Sequence, residues 1–467
     1  MAVKYLPLSK NIRCLFSNSF KGLTIIVFNV LMVMPVPAIA QKVLTLTEAI
    51  NSAFSNRKNI QAGKTNFAIQ KLQTQILYKK YWPQINIEYN YLYNPILQTS
   101  ILPIGIFNPS YPPDATKSIQ FGTKWSQTAG LTVNQPLLDQ AIWRQINEAK
   151  LQERIAVATQ AQSEYELAYI VTQSYIEISL QQAKIASAVS DTNRTFISYS
   201  LLKNKFDEKR LLKSDLNKSI INHNNTRQLL RDANAELVAD KVYLLFLTGQ
   251  SSFEQPDIRI DTTFIYLANM IPANATPAFE LIPEFQQLEL EGQLKGIQAN
   301  SEKAKCLPTL SLKGFIGANQ YTNNFNPVES NTWFGLSYVG IDAKLPILFG
   351  EDKKKKLQQL QLQANQYHLQ KEDKAAQYNK EAITATINTQ RVKAQLSTQE
   401  ENIILSKESI DIIQARVEEG QESAFTLNLE EANLQQLQSV YETSKRQLWL
   451  YWLDYQKASG RLGLLWK

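Results

Sequence analysis

Between Pro136 and Gly249 the sequence runs for more than a hundred residues without a proline or a glycine. Between Gly350 and Gly460 it does so again, with Gly420 as the one exception. Proline removes a backbone donor and glycine costs conformational entropy, so stretches lacking both and rich in Gln, Ala, Leu, Glu and Lys predict long helices. The segment from Leu138 to Asp207 alone predicts a helix of ~100 Å, several times the apolar thickness of a bilayer. The C-terminal part of each stretch carries a heptad. One row is Leu216, His223, Leu230, Leu237 and Leu244; the other is Leu427, Leu434, Tyr441, Leu448 and Tyr455. A spacing of seven predicts a coiled-coil seam. His223 reads as a packed polar interruption of that seam, because the only other histidine, His368, gives it no metal-ligand spacing.

The two heptad rows differ by a constant 211, and the same offset relates Gly249 to Gly460 and Lys209 to Gly420. Leu137-Leu138 after Pro136 parallels Ile347-Leu348 after Pro346, at an offset of 210. Trp82-Pro83-Gln84-Ile85 parallels Leu307-Pro308-Thr309-Leu310 at 225. These offsets predict a tandem duplication. Residues 41–249 form one repeat and 277–467 the other, and 250–276, with Pro256 and Pro272, connects them. Each repeat is expected to run helix, strand, loop, strand, long helix, turn, helix.

After Pro83, Ile85, Ile87, Tyr89, Tyr91 and Tyr93 alternate with Gln84, Asn86, Glu88 and Asn90. Before Pro136, Trp125, Ala129, Leu131 and Val133 alternate with Ser126, Thr128, Thr132 and Asn134. One apolar and one polar face over about ten residues is the pattern of an outer-membrane strand; the edge of a β-sandwich shows it too. In the second repeat Leu310, Leu312 and Ile316 alternate with Thr309, Ser311 and Lys313. Phe334, Leu336 and Tyr338 fall out of phase with Val339, Ile341 and Ala343, and a bulge near Tyr338 would bring them into phase. Segments 95–123 and 321–331 are expected to be surface loops. Four strands cannot close a barrel, and lipid forbids open strand edges, so a membrane reading demands further copies of the chain.

Residues 1–21 are basic and 22–34 apolar; Pro35, Pro37 and Ala38-Ile39-Ala40 follow. This is the pattern of a secretory leader cleaved after residue 40. Of the formal charge of +7, Lys4, Lys10, Arg13 and Lys21 carry four, leaving +3 for the rest, too little for a nucleic-acid-binding stripe. With Cys14 in the leader, Cys306 is the one remaining thiol and no intrachain disulfide is expected. The sequence shows no Gly-rich phosphate loop and no Ser/His/Asp set, its carboxylates read as solvated helix faces, and neither an enzyme nor a cofactor is expected. No long extension is expected after Gly460.

Several motifs, in this order and with matched spacing, resemble the TolC-like outer-membrane efflux protein family. Leu44-Thr-Leu-Thr-Glu-Ala-Ile50 opens the first helix. Trp82-Pro83-Gln84-Ile85 and Leu307-Pro308-Thr309-Leu310 enter strands, and Asn134-Gln135-Pro136-Leu137-Leu138-Asp139 and Leu345-Pro346-Ile347-Leu348-Phe349-Gly350 leave them. Arg210-Leu-Leu-Lys-Ser-Asp-Leu216 follows the first hairpin turn. The resemblance implies a mainly α fold with a membrane β-barrel contribution: a homotrimer giving four strands per protomer to a twelve-stranded outer-membrane barrel, continued by long antiparallel coiled coils as a periplasmic α-barrel. It implies the outer membrane of a Gram-negative bacterium as location. Its implied role is a passive duct from an inner-membrane transporter and a periplasmic adaptor (membrane fusion protein) to the exterior. The alternative of a different class is a secreted periplasmic coiled-coil scaffold without a channel.

The same resemblance implies which residues dock, close or line the duct. The turns near Asp207–Lys213 and Glu418–Ala424 would be the adaptor-docking tips, with Lys209, Arg210, Gly420 and Gln421 at their apices. Gly420 matches a tip glycine and Lys209 departs from it, so the tips are expected to be unequal partners. A periplasmic entrance would lie at Asp215, Thr426 and Leu429. Only the first is acidic, and a helix N-terminus also favours an aspartate there. Asn86, Glu88 and Asn90 would face the barrel lumen. Lys353–Lys356, after Glu351-Asp352, read as a solvated face or as a contact to anionic outer-membrane lipid.

Overall fold

Thr45 opens the first helix with both halves of a capping box. Its hydroxyl accepts from the Glu48 N–H at 3.2 Å, and the Glu48 carboxylate accepts from the Thr45 N–H at 3.1 Å. The computed structural model describes residues 43–104, 110, 112–250, 258–261, 277–326, 333–347 and 350–466. The leader expected over 1–40 and most of the connecting segment 250–276 lie outside the described residues. From Leu44 onward the described residues form one compact unit.

The order of elements is β1 (Val43–Leu44), α1 (Leu46–Asn56), α2 (Lys58–Lys79), β2 (Gln84–Tyr93), β3 (Gln98–Pro103), β4 (Thr116–Phe121), β5 (Trp125–Leu138), α3 (Gln140–Asp207) and α4 (Lys213–Leu247). Then come β6 (Arg259–Ile260), α5 (Pro283–Ala304), β7 (Thr309–Thr322), β8 (Trp333–Lys344), α6 (Glu351–Glu419) and α7 (Ala424–Ala458). The chain is mainly helical. The breaker-free stretches give α3 of 68 and α6 of 69 residues, each followed by a helix of 35. One end of α3 packs on α2 and α5; its other end packs on α4 and α7.

The seam is visible in burial. Leu244, Leu427 and Leu434 are fully buried, and every other residue of the two heptad rows is at least half-buried. A second row on α4, Ser219, Thr226, Ala233 and Leu247, is also buried. Its first three members are too small or polar to stand out as a hydrophobic repeat. At the far end of α4, a core of Ile50, Val171, Tyr175, Leu244 and Leu247 forms around α3. The Tyr175 hydroxyl lies 2.8 Å from the carbonyl oxygens of Leu44 and Asp261, which share its one proton, and accepts from the Asp261 N–H at 2.9 Å, so it pins the β1–β6 pair to the helix. Burial pushes that hydroxyl up to about 12.

Strands β2, β5, β7 and β8 pair in that order as one antiparallel sheet, with β2 and β8 as edges. Two expectations are corrected by this sheet and its surroundings. Segment 95–123 is not only loop: β3 and β4 form a hairpin within it, paired from Gln98 with Phe121 to Pro103 with Thr116. No bulge occurs near Tyr338, because β7 and β8 keep one register from Thr309 with Lys344 to Gln320 with Trp333. The irregularity falls instead between Pro136 and Leu138, opposite β7. Pro136 itself lies inside β5, just past the point where β2 ends opposite Asn134, so β5 is an edge there and tolerates it.

Candidate functional site: the hairpin tips and the strand wall

Both long helices end in the same backbone motif. After α3 the N–H of Arg210 donates to the Lys205 carbonyl at 2.9 Å, and Lys209 takes a left-handed φ of 60°. After α6 the N–H of Gln421 donates to the Arg416 carbonyl at 2.8 Å, and Gly420 has a φ of 79°. This is a helix end closed by a left-handed residue, for which glycine carries no Cβ penalty and lysine does. Among the described residues Lys209 is the one non-glycine with positive φ. The same closure recurs at Gly249 and Gly460, so all four positions related by the offset of 211 share it. The tips differ in side chain and agree in backbone.

The two tips are adjacent. Lys205 Nζ donates to the Glu418 carbonyl at 3.0 Å, which ties the last turn of α3 to the last turn of α6. Just past the tips, Asp215 and Thr426 occupy the third helical position of α4 and α7. Asn428 Nδ2 donates to the Asp215 carbonyl at 3.2 Å and joins these first turns. Asn222 Nδ2 donates to the Asn428 carbonyl at 3.1 Å. Ser423 caps α7 by accepting from the Thr426 N–H. Glu422 accepts from the Ser423 N–H and the Thr426 hydroxyl, which hold its carboxyl below the usual range. Leu429 stays exposed. Asp215 thus sits in a helix first turn, where the dipole favours a carboxylate, while its main chain is bound to the second hairpin.

Sequence reasoning missed a buried ion network above the tips. Arg194 Nε donates to Glu431 at 2.9 Å and its Nη1 to Asp191 at 2.7 Å. Ser198 donates to the other Glu431 oxygen at 2.9 Å, and Gln438 Nε2 donates to Asp191. Burial works against the charge on Arg194, but Glu431 and Asp191 outweigh it and raise the guanidinium's pKa. These groups come from α3 and α7, 237 residues apart for Arg194 and Glu431. No local spacing announces such a pair. His223 packs beside the network's end of α3, with Nδ1 3.2 Å from the Thr195 hydroxyl and its ring parallel to Tyr199.

In the sheet, Asn86, Glu88 and Asn90 share one face with Thr128, Thr132, Lys313 and Asp342. Asn90 Nδ2 donates to Glu88 at 2.6 Å, and Lys313 pairs with Asp342 at 2.8 Å. That face is not wholly polar. Phe315 and Tyr338 stack on it at 5.7 Å, and Phe315 lies over Gly130 and Gly317. The absent bulge has this cause: Phe334, Leu336 and Tyr338 belong with Phe315, while Val339 and Ile341 belong with the opposite face. That opposite face holds Ile85, Ile87, Ile316, Val339 and Ile341, all exposed. It also holds Gln127, which sequence alternation passed over. Gln127 and Gln320 are buried and bonded to each other, and the Tyr89 hydroxyl donates to Gln127 at 2.7 Å. Lys354–Lys356 are exposed on the first turns of α6, and Cys306 is half-buried at the α5–β7 junction. Among the described residues no group of His, Cys, Asp and Glu could hold a metal ion, and no helix is long and apolar enough to cross a membrane.

Residues 278–464 match the family of outer membrane efflux proteins. No curated protein matches the chain in sequence. Solved structures that share its fold include the following three. CusC, described through its folding and transmembrane channel formation, is 16% identical, with a TM-score of 0.69 over 88% of this chain and 91% of its own. The outer membrane channel CmeC of Campylobacter jejuni is 13% identical, with a TM-score of 0.68 over 89% and 85%. The MtrE outer membrane channel of Neisseria gonorrhoeae, in its open state, is 15% identical, with a TM-score of 0.65 over 89% and 88%. The chain therefore resembles the TolC-like outer-membrane efflux proteins in sequence over 278–464 and in fold over most of its length.

Proposed function

We propose, from the premise that the chain has the fold of the outer-membrane efflux channels, that it is the outer-membrane duct of a tripartite efflux or secretion system. The observation that carries this is the open four-stranded sheet, which among the described residues has two unpaired edges and an exposed apolar face and is joined end-on to helices of about 100 Å. Three copies pairing β8 of one with β2 of the next close a twelve-stranded barrel and leave no edge in lipid. The helices repeat the same demand. Leu362, Leu369, Ile383 and Ile404 lie on one heptad row of α6 and are exposed in the single chain, which calls for a neighbouring helix.

In this reading the chain is a tandem duplication, preceded by a cleaved leader and joined through 250–276 in a belt around the helical barrel. Asn86, Glu88 and Asn90 hydrate the inner wall of the barrel. The tips at Lys209, Arg210, Gly420 and Gln421 receive the periplasmic adaptor, which couples the duct to an inner-membrane pump. Their shared backbone and unlike side chains make them geometrically alike and chemically unequal. Asp215, Thr426 and Leu429 border the entrance, shaped by packing rather than by a ring of aspartates. Lys353–Lys356 lie near the inner leaflet's headgroups. Transport through such a duct needs no bond-making and no cofactor. Deleting the gene should sensitise cells to an exported compound. Unchanged export in a strain that makes the protein, and has no second channel of this kind, would contradict the proposal.

A further inference from the structure

Between α4 and α7, with α3 as its floor, lies a cleft of about 600 Å³. Its charges are unevenly matched. Glu177 is held by Arg446, with Nε at 2.8 Å and Nη2 at 2.7 Å. Glu236 is held by Lys184 and by Gln181, each at 2.9 Å. Asp240, one turn beyond Glu236 on α4, has neither a hydrogen bond nor an ion pair among the described residues. Burial, followed by the facing carboxylates of Glu177 and Glu236, pushes its carboxyl above the usual range and outweighs the opposing pull of Arg446 and Lys184. On the floor, Ser174 is 4% exposed and its hydroxyl has no partner. The cleft thus offers a spare carboxylate and a buried, unsatisfied hydroxyl, while both of its cations are already engaged. Ile170, Leu180, Leu229 and the ring of Tyr243 supply apolar wall.

We propose that this cleft binds an aliphatic ammonium ion, with the charged head between Asp240, Glu177 and the Ser174 hydroxyl and the hydrocarbon along Ile170, Leu229 and Tyr243. An ammonium brings three donors and no acceptor, which fits groups that can all accept. A hard metal ion fits less well, since it needs a cage of several oxygens and two of the three carboxylates are committed to cations. An anion would meet the unpaired Asp240 carboxylate. The volume is that of an ordinary small-molecule site.

The test is isothermal titration calorimetry on the full-length mature protein in amphipol, with n-hexylammonium as probe and n-hexanol as its uncharged counterpart. The wild type should bind hexylammonium in preference to hexanol. Asp240→Asn should weaken binding about tenfold or more, equal to about 1.4 kcal/mol, with unchanged mass and melting temperature. Asp240→Glu, which keeps the charge, should retain it, and Ser174→Ala should weaken it by a smaller factor. Hexanol binding as tightly as hexylammonium, no binding by the wild type, or equal binding by Asp240→Asn would each overturn the proposal. None of these results depends on whether the protein conducts, so the site and the duct stand or fall separately.

Discussion

Arg194 on α3 and Glu431 on α7 meet at 2.9 Å between the two helical hairpins, where the Glu431 side chain is 2% exposed. Replacing one member of such a pair leaves the other charge buried without compensation. Arg194→Ala or Glu431→Ala should therefore cost ~3–5 kcal/mol, far more than an exposed pair is worth. Arg210–Glu208, exposed at the tip, provides the comparison: Arg210→Ala should change stability by less than about 1 kcal/mol. Chemical unfolding followed by helix signal separates the two cases.

Lys209 and Gly420 close α3 and α6 in the same left-handed geometry, and only one of them is a glycine. Lys209→Gly should stabilise the first tip by about 1 kcal/mol through relief of Cβ strain. Gly420→Ala should destabilise the second by a similar amount, since nothing lies within 4 Å of the added carbon and strain is the whole effect. Melting temperatures of the two variants should move in opposite directions.

Gly420→Trp tests docking rather than stability. The added carbon meets nothing within 4 Å, so the larger side chain should cost only the strain already met by Gly420→Ala, about 1 kcal/mol, and the fold should survive it. Export should fall to background with the oligomer intact. Normal export would remove this turn from the adaptor contact.

His223 gives a pH dependence with a defined sign. Burial, followed by the nearby Arg227, lowers its pKa from the ordinary 6.5, so the fold favours the neutral ring. As pH falls through the ordinary histidine range the unfolded chain takes up the proton first, and stability is lost until the lowered folded pKa is passed. His223→Gln should flatten the melting temperature between pH values of about 5 and 7. A slope equal to the wild type's would place the titrating group elsewhere.

Phe315 rests on Gly130 and Gly317, and a carbon added at Gly130 would stand 2.6 Å from its ring. Gly130→Ala should cost ~1–3 kcal/mol by overpacking, and pairing it with Phe315→Leu should recover part of that loss. Double-mutant melting measures the coupling.

The helices were legible because their signals are local. The missing prolines and glycines mark α3, α4, α6 and α7, and the offset of 211 pairs their ends. The strands after Pro83 and before Pro136 were legible by alternation. The β3–β4 hairpin was hidden in a segment rich in Pro, Asn and Tyr, which looks like loop because its pairing is not announced by a clean period of two. The phase of β8 was misread because Phe315 occupies the polar face, and only the contact with Gly130 and Gly317 explains how that face makes room. The Arg194–Glu431 pair and the cleft at Asp240 lie between segments far apart in sequence, where spacing carries no signal.

Whether the chain completes its barrel with copies of itself is read most directly from the mass of the protein extracted from outer membranes in mild detergent. A closed twelve-stranded barrel requires a single species containing three mature chains, which keeps its strand signal and loses both on boiling. A monodisperse monomer with the same strand signal would contradict it.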